Sequence, residues 1–156
     1  MKSSYLSEHA FHLMRYDTGI VIPVYFPEGV DSRRGEALLR DTVIMYKEQV
    51  LDPSSICLSV DGKDGGSEIV KRIAEDTQGS WCVSPVNLGK LQGVRNGVRY
   101  LLDRKALKYI AVVDQDGDHF ANELLNFLRA ADHITRYRGT DQVLILGRRI
   151  SRHRPM

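Results

Sequence analysis

Three short apolar runs constrain this chain most: residues 19–26 (Gly-Ile-Val-Ile-Pro-Val-Tyr-Phe), 56–60 (Ile-Cys-Leu-Ser-Val) and 109–113 (Tyr-Ile-Ala-Val-Val). Each has the length of a strand and is apolar at consecutive positions, so each predicts a strand buried on both faces. Pro23 cannot donate to a ladder, which places it near the end of its strand. Between the runs, apolar residues recur at helical spacing. Ala37, Leu38, Val43, Ile44, Val50 and Leu51 predict a helix over 32–49, stopped by Asp52-Pro53. A turn at 62–67 leads into a short helix over 68–77, with Ser67 as its N-cap. Residues 81–83 predict a third strand, and Val94, Val98, Leu101 and Leu102 stripe a helix over 87–103. A helix over 122–134 and a strand over 142–146 complete the alternation. Alternating strands and helices predict an α/β fold, a mostly parallel sheet with helices on both faces.

Residues 1–18 have no clean period and read as an N-terminal tail or a loosely docked helix. Residues 19–150 read as one domain, and 151–156 as a basic tail. A length of 156 residues suits one sizeable core. The net charge of +2 gives no global field for nucleic acid, and no nucleic-acid partner is expected. The first 17 residues are polar, unlike a signal peptide, and no apolar run reaches the roughly 18 residues of a membrane span. Two cysteines, Cys57 and Cys82, are too few for a disulfide framework and read as reduced thiols of a cytoplasmic protein. His9, His12, His133 and His153 have no partners at ligand spacing and read as surface residues.

The chemistry concentrates where the 109–113 run ends, in Asp114-Gln115-Asp116-Gly117-Asp118-His119. Three carboxylates at alternate positions repel one another, and a divalent cation offsets that repulsion because hard cations take oxygen ligands. In a parallel sheet, ligands bind outside the carboxyl ends of the strands. Asp61 and Asp114 both fall at such ends, so the fold brings them towards one crevice. Gly89, Gly93 and Gly97 line one face of the 87–103 helix. Each costs about 1 kcal/mol relative to Ala, so something approaches that backbone closely, either a neighbouring strand or a ligand. Lys90 lies in the first turn, where amides and the helix dipole favour an anion. The stretch is not a P-loop, because Ser84 and Leu91 occupy positions that need Gly and Ser or Thr. No Gly-x-Gly-x-x-Gly follows the first strand, which argues against a dinucleotide site.

Three cation chemistries fit the acidic stretch to different degrees. An EF-hand loop needs Gly at position six and Glu at position twelve, where this chain has His119 and Leu125. A phosphatase of the haloacid dehalogenase type carries a similar Asp-x-Asp-Gly, with the first Asp as nucleophile. Here Asp118 replaces the usual Thr or Val, and 38 residues remain after it for the downstream groups. The third chemistry is a nucleotide-sugar glycosyltransferase, whose Asp-x-Asp holds a cation against a diphosphate leaving group. A cation bridging those oxygens stabilises the charge that develops as the glycosidic bond breaks.

The chain resembles the family 2 glycosyltransferases of GT-A fold over residues 20–149, most of its length. Val21-Ile22-Pro23-Val24-Tyr25 looks like the family's opening strand end, and Val60-Asp61 like its second. Asn87-x-Gly89-x-x-x-Gly93-x-x-x-Gly97 resembles the helix start. Val112-Val113-Asp114-x-Asp116-x-x-His119-x-x-x-Glu123-Leu124 is similar to the form in polyprenyl-phosphate mannosyl- and glucosyltransferases. Leu146-Gly147-Arg148-Arg149 resembles the Gly-Ser-Arg after the next strand. Departures are Phe26-Pro27-Glu28 for Asn-Glu, Gly62-Lys63-Asp64-Gly65 for Asp-Gly-Ser, and Arg95 where Asn is common.

The resemblance implies a UDP- or GDP-sugar donor and Mg²⁺ or Mn²⁺ held by Asp114 and Asp116. It implies nucleotide-sugar contacts from Pro23, Val24, Tyr25, Asp61, Gly89, Lys90, Asp114, Gln115 and Asp116. The acceptor is left open among polyprenyl phosphate, glycan and protein, with peripheral association of a longer native protein at a membrane surface. The acceptor half and its catalytic base are expected beyond Met156. Asp118 is the nearest spare carboxylate for that base, and His119 reads as a turn residue. Arg148, Arg149, Arg152 and Arg154 either meet phosphate or are solvated. A module that binds the nucleotide-sugar without transferring it shares the same residues, and the phosphatase is the third reading.

Overall fold

A computed structural model describes residues 2–63, 66–117 and 120–147, with side chains from residue 8 onward. Four parallel strands, β1 (Thr18–Val24), β2 (Ile56–Val60), β3 (Ser80–Val83) and β4 (Tyr109–Val112), form a sheet of order β3-β2-β1-β4. Helices α1 (Lys2–Tyr16), α2 (Arg33–Lys47), α3 (Ser67–Thr77), α4 (Lys90–Leu102) and α5 (Leu124–Arg138) flank it. The fold is α/β with an all-parallel sheet, as the alternating pattern predicts.

β1 is buried along its whole length because it feeds two cores. Ile20, Ile22 and Val24 pack with Leu39, Val43 and Tyr46 of α2 and Val70 and Ile73 of α3. Met14 of α1 and Leu128 of α5 join the same core. Val21 points the other way, against Leu101 of α4 and Cys57 of β2. This alternation follows from the two-residue period of a strand. Each buried Val or Ile contributes about 1.5–3 kcal/mol. The 109–113 run corrects the expectation of burial on both faces: β4 lies at the sheet edge, partly buried, with Val112 47% exposed.

Glycines set how closely α4 approaches the sheet. A Cβ at Gly97 would sit 2.5 Å from Cγ1 of Val21 and 3.1 Å from Cβ of Ser59. A Cβ at Gly93 would meet nothing nearer than Cβ of Asp61, at 3.6 Å. The Ser59 hydroxyl donates to the Gly93 carbonyl at 2.6 Å. The neighbouring strands, rather than a ligand, therefore account for Gly97, whereas Gly93 has room for a methyl group.

Four further sequence expectations are corrected, and one of two open readings is decided. For the N-terminal stretch the helix is observed, one of the two readings the sequence left open: α1 buries Ala10, Leu13 and Met14, and the Thr18 hydroxyl donates to the Leu13 carbonyl at 2.8 Å. His9 lies 3.3 Å from Asp132 of α5, whose carboxylate also pairs with Arg136, so His9 has a partner. Local period gives no clean signal for this helix, because its described buried residues are matched to α5 and to the core above the sheet. Residues 142–146 form no strand, and Leu144 and Leu146 are 80% and 78% exposed. Their β-propensity is local, whereas a strand needs a ladder partner. Ser67 is the first residue of α3 rather than its cap. Gly66 takes the cap position with φ of 89°, and the Ser67 hydroxyl donates to the Lys63 carbonyl. Finally, α4 begins at Lys90 rather than at Asn87, because Gly89 holds φ of 95° and ψ of 164°, outside the helical region.

Candidate functional site

The strand order creates the site. After β1, the chain crosses to β2 and β3 on one side, and β4 then returns to the other side of β1. A crevice opens at such a reversal, outside the carboxyl ends of the two strands. Backbone parity widens it. The Val21 carbonyl accepts from the Val113 amide, and the Tyr25 amide donates onward to Gln115, so odd-numbered groups of this strand face β4. Pro23 lies between them and has no amide to offer. The β1–β4 ladder thus stops where the cavity begins.

That cavity measures about 430 Å³ and draws on four separate segments. The end of β1 contributes Pro23, Val24 and Tyr25, and the end of β2 contributes Asp61. The entry to α4 contributes Asn87, Gly89 and Lys90, and the loop after β4 contributes Asp114, Gln115 and Asp116. All nine binding residues expected from the sequence are brought together on it. Asn87 is the addition. Its amide oxygen accepts from the Gly89 amide at 3.1 Å. The sequence marked Asn87 only as a helix start, and its place before the helix-entry glycine was the available signal.

Asp61 is buried, and its two oxygens accept from the backbone amides of Leu88, at 3.0 Å, and Gly89. A carboxylate taking two amides is a strong, charge-assisted arrangement. Asp61 therefore acts as the strand-end anchor of the α4 entry loop, and these two amides are already occupied. Gly89 faces open space, and its positive φ is the reason glycine stands there. Gln115 spans the gap beside Pro23: its side-chain oxygen accepts from the Tyr25 amide at 2.9 Å, and its side-chain nitrogen donates to the Tyr25 carbonyl at 3.2 Å. This pairing fixes the acidic loop to the end of β1. The Lys90 ammonium donates to Oδ1 of Asp114. Asp116 lines the same cavity.

A second cavity of about 390 Å³ adjoins the first through Tyr25, Asp61 and Asn87, and is otherwise lined by Glu28, Gly62, Lys63, Pro85 and Val86. The sequence marks 62–67 as a turn and 26–28 and 62–65 as departures from a pattern, and it assigns no role to Glu28, Pro85 or Val86. Their convergence depends on two loops 57 residues apart meeting beside β2 (Glu28 to Pro85).

Asp118, His119, Arg148, Arg149, Arg152 and Arg154 lie outside the described residues. Among the described residues, no three His, Cys, Asp or Glu side chains converge as a metal cluster. Two carboxylates on one loop, Asp114 and Asp116, are the hard donor set that the cavity offers. No described helix is long and apolar enough to cross a membrane. Comparisons with family models, curated proteins and solved structures find no match.

Proposed function

We propose that this chain binds a nucleoside-diphospho-sugar together with Mg²⁺ or Mn²⁺, as the donor part of a glycosyltransferase of GT-A type. One observation carries the reading. The switch-point cavity gathers Asp114 and Asp116 with Tyr25, Asp61 and Lys90, and a second cavity continues from it past Tyr25 and Asn87. The acidic cavity suits a diphosphate with its cation, and the adjoining one suits the nucleoside.

Charge supports the cation. Among the described residues, Asp61, Asp114 and Asp116 place three carboxylates on this cavity against the single ammonium of Lys90. A bare diphosphate entering there meets net repulsion. Mg²⁺ is commonly held by one or two carboxylates plus substrate phosphates, rather than by an all-protein cage. Asp114 and Asp116 fit that donor set and are the residues that would hold it. When bound, such a cation supplies charge stabilisation to the departing diphosphate. The chain's own residues do the positioning: Gln115 fixes the acidic loop to Tyr25, Asp61 fixes the α4 entry loop, and the half-exposed Tyr25 ring offers a face for stacking. Transfer also needs a base for the acceptor hydroxyl. Asp118 is the sequence candidate for it. The acceptor reading, polyprenyl phosphate, glycan or protein, stands as in the sequence.

Thermal unfolding with UDP, GDP and their sugar conjugates, with and without Mn²⁺, tests the proposal. A ligand at 100 times its Kd adds about 2.7 kcal/mol of stability. A manganese-dependent shift that is lost in Asp116→Ala with the fold intact is the expected result. No manganese-dependent shift with any nucleoside diphosphate sinks the reading. Binding without sugar transfer points to a non-catalytic module. Turnover of a phosphate ester that depends on Asp114 points to the phosphatase.

A further inference from the structure

Lys90 and Asp114 have a relation that the donor-site reading alone does not require. The ammonium donates to Oδ1 of Asp114, and both side chains line the same cavity. Asp114 is also one of the two carboxylates offered to a cation. We infer that Lys90 is an exchangeable counterion, which occupies Asp114 in the free protein and passes to a phosphate oxygen when the diphosphate enters. The inference rests on the donor-site reading and deepens it: cation and nucleotide bind cooperatively, because the anion draws away the ammonium that competes with the cation.

Three features make the exchange feasible. The side chains are 65% and 40% exposed, and ion pairs in such surroundings are weak and screened, so the pair breaks readily. The root of Lys90 is fixed, since the preceding Gly89 amide is held by Asp61 and Asn87. Its four-carbon stem and three-donor ammonium remain free to reorient within the cavity. Charge accounting favours a concerted change. While Lys90 neutralises Asp114, the demand of the Asp114–Asp116 pair for a divalent cation is reduced. Once a phosphate takes the ammonium, the Asp114 carboxylate is again available. Coupling of this kind is reciprocal, so the cation raises nucleotide affinity by the same factor as the nucleotide raises cation affinity.

A double-mutant cycle tests it with the full chain, reading Mn²⁺ by electron paramagnetic resonance and GDP and UDP by calorimetry. Lys90→Met tightens Mn²⁺ alone by about two- to fivefold, the scale of an exposed ion pair. In the presence of chelator, Asp114→Asn tightens the nucleotide by about the same factor when Lys90 is present, because the ammonium is released. With Lys90→Met in the background, Asp114→Asn tightens the nucleotide by a smaller factor, because it then relieves only the repulsion between carboxylate and phosphate. Far-UV circular dichroism checks the fold of each variant. An unchanged Mn²⁺ affinity in Lys90→Met overturns the exchange. So does equal nucleotide tightening by Asp114→Asn in both backgrounds, which indicates a simple additive charge effect. Failure of the wild-type chain to bind either nucleotide with Mn²⁺ is a different outcome: it removes the donor-site reading, and the exchange with it.

Discussion

Gly93 and Gly97 occupy the same face of α4, one turn apart, yet the structure predicts opposite outcomes when each is replaced by Ala. In both cases the helix gains about 1 kcal/mol from the change of propensity. At Gly93 the new methyl finds ordinary contacts, the nearest at 3.6 Å, so the gain survives. At Gly97 it would lie 2.5 Å and 3.4 Å from the two Cγ atoms of Val21 and 3.1 Å from Cβ of Ser59. Val21 is fully buried, and a β-branched side chain has few rotamers to escape into. Overpacking costs about 1–3 kcal/mol, and a clash with Cγ1 of Val21 beside a tight approach to Ser59 belongs at the upper end. The net change is thus about 1–2 kcal/mol of destabilisation at Gly97, against a gain of up to about 1 kcal/mol at Gly93. For a chain of this size each kcal/mol moves Tm by about 2–4 °C. Thermal and urea unfolding followed by circular dichroism should therefore show Gly97→Ala melting below wild type and Gly93→Ala at or above it. Equal stability of the two variants would refute the view that α4 is seated on β1 through Gly97.

Other predictions follow from single groups. Asp61→Asn replaces one acceptor oxygen with a donor that faces a backbone amide, so it should cost about 1–3 kcal/mol in urea unfolding. A stability change below 0.5 kcal/mol would deny Asp61 its anchoring role (surface substitutions stay within about that size). Burial, aided by Glu123, pushes the Tyr46 hydroxyl up to about 12. The folded chain then keeps this proton to higher pH than the unfolded chain, whose value is 10.0, so stability is full below pH 10 and falls as pH rises towards 12. Tyr46→Phe should remove that alkaline slope in unfolding measured from pH 9 to 11.5, and an unchanged slope would count against it. Cys57 and Cys82 are free thiols with sulfurs 3.9 Å apart. The neighbouring Cys82 and burial push the Cys57 thiol up, while the hydrogen bond from Cys57 holds Cys82 down to about 7. Native alkylation read by mass spectrometry should label Cys82 first, and equal labelling of both would contradict this.

Much of the sheet was legible because burial on both faces leaves a local trace. The runs at 20–24 and 56–60 are continuous apolar segments, and both are strands. The run at 142–146 shows where that reasoning ends: it has the same composition, but no ladder partner, and it remains exposed coil. Helix α1 shows the converse, since its buried residues, Ala10, Leu13 and Met14, gain their role only from the packing of α5 and the sheet around them. The glycine face of α4 was visible as a spacing, but whether a strand or a ligand met it required the positions of Val21 and Ser59.

The candidate site divides in the same way. By itself, the sequence determined that carboxylates cluster after the 109–113 run, that an Asp closes the 56–60 run, and that the chain alternates strand and helix. These are local facts, set by residue type and period. Only the tertiary structure decided that β4 lies beside β1, which places Asp114 and Asp116 across from Tyr25 and opens the cavity at the chain reversal. It also decided how each polar group is used. Asp61 is committed to two backbone amides, Gln115 to Tyr25, and Lys90 to Asp114. The physical reason is that a hydrogen bond or an ion pair depends on what lies within about 3 Å, and 90 residues of chain separate Tyr25 from Gln115. Only strand pairing removes that separation.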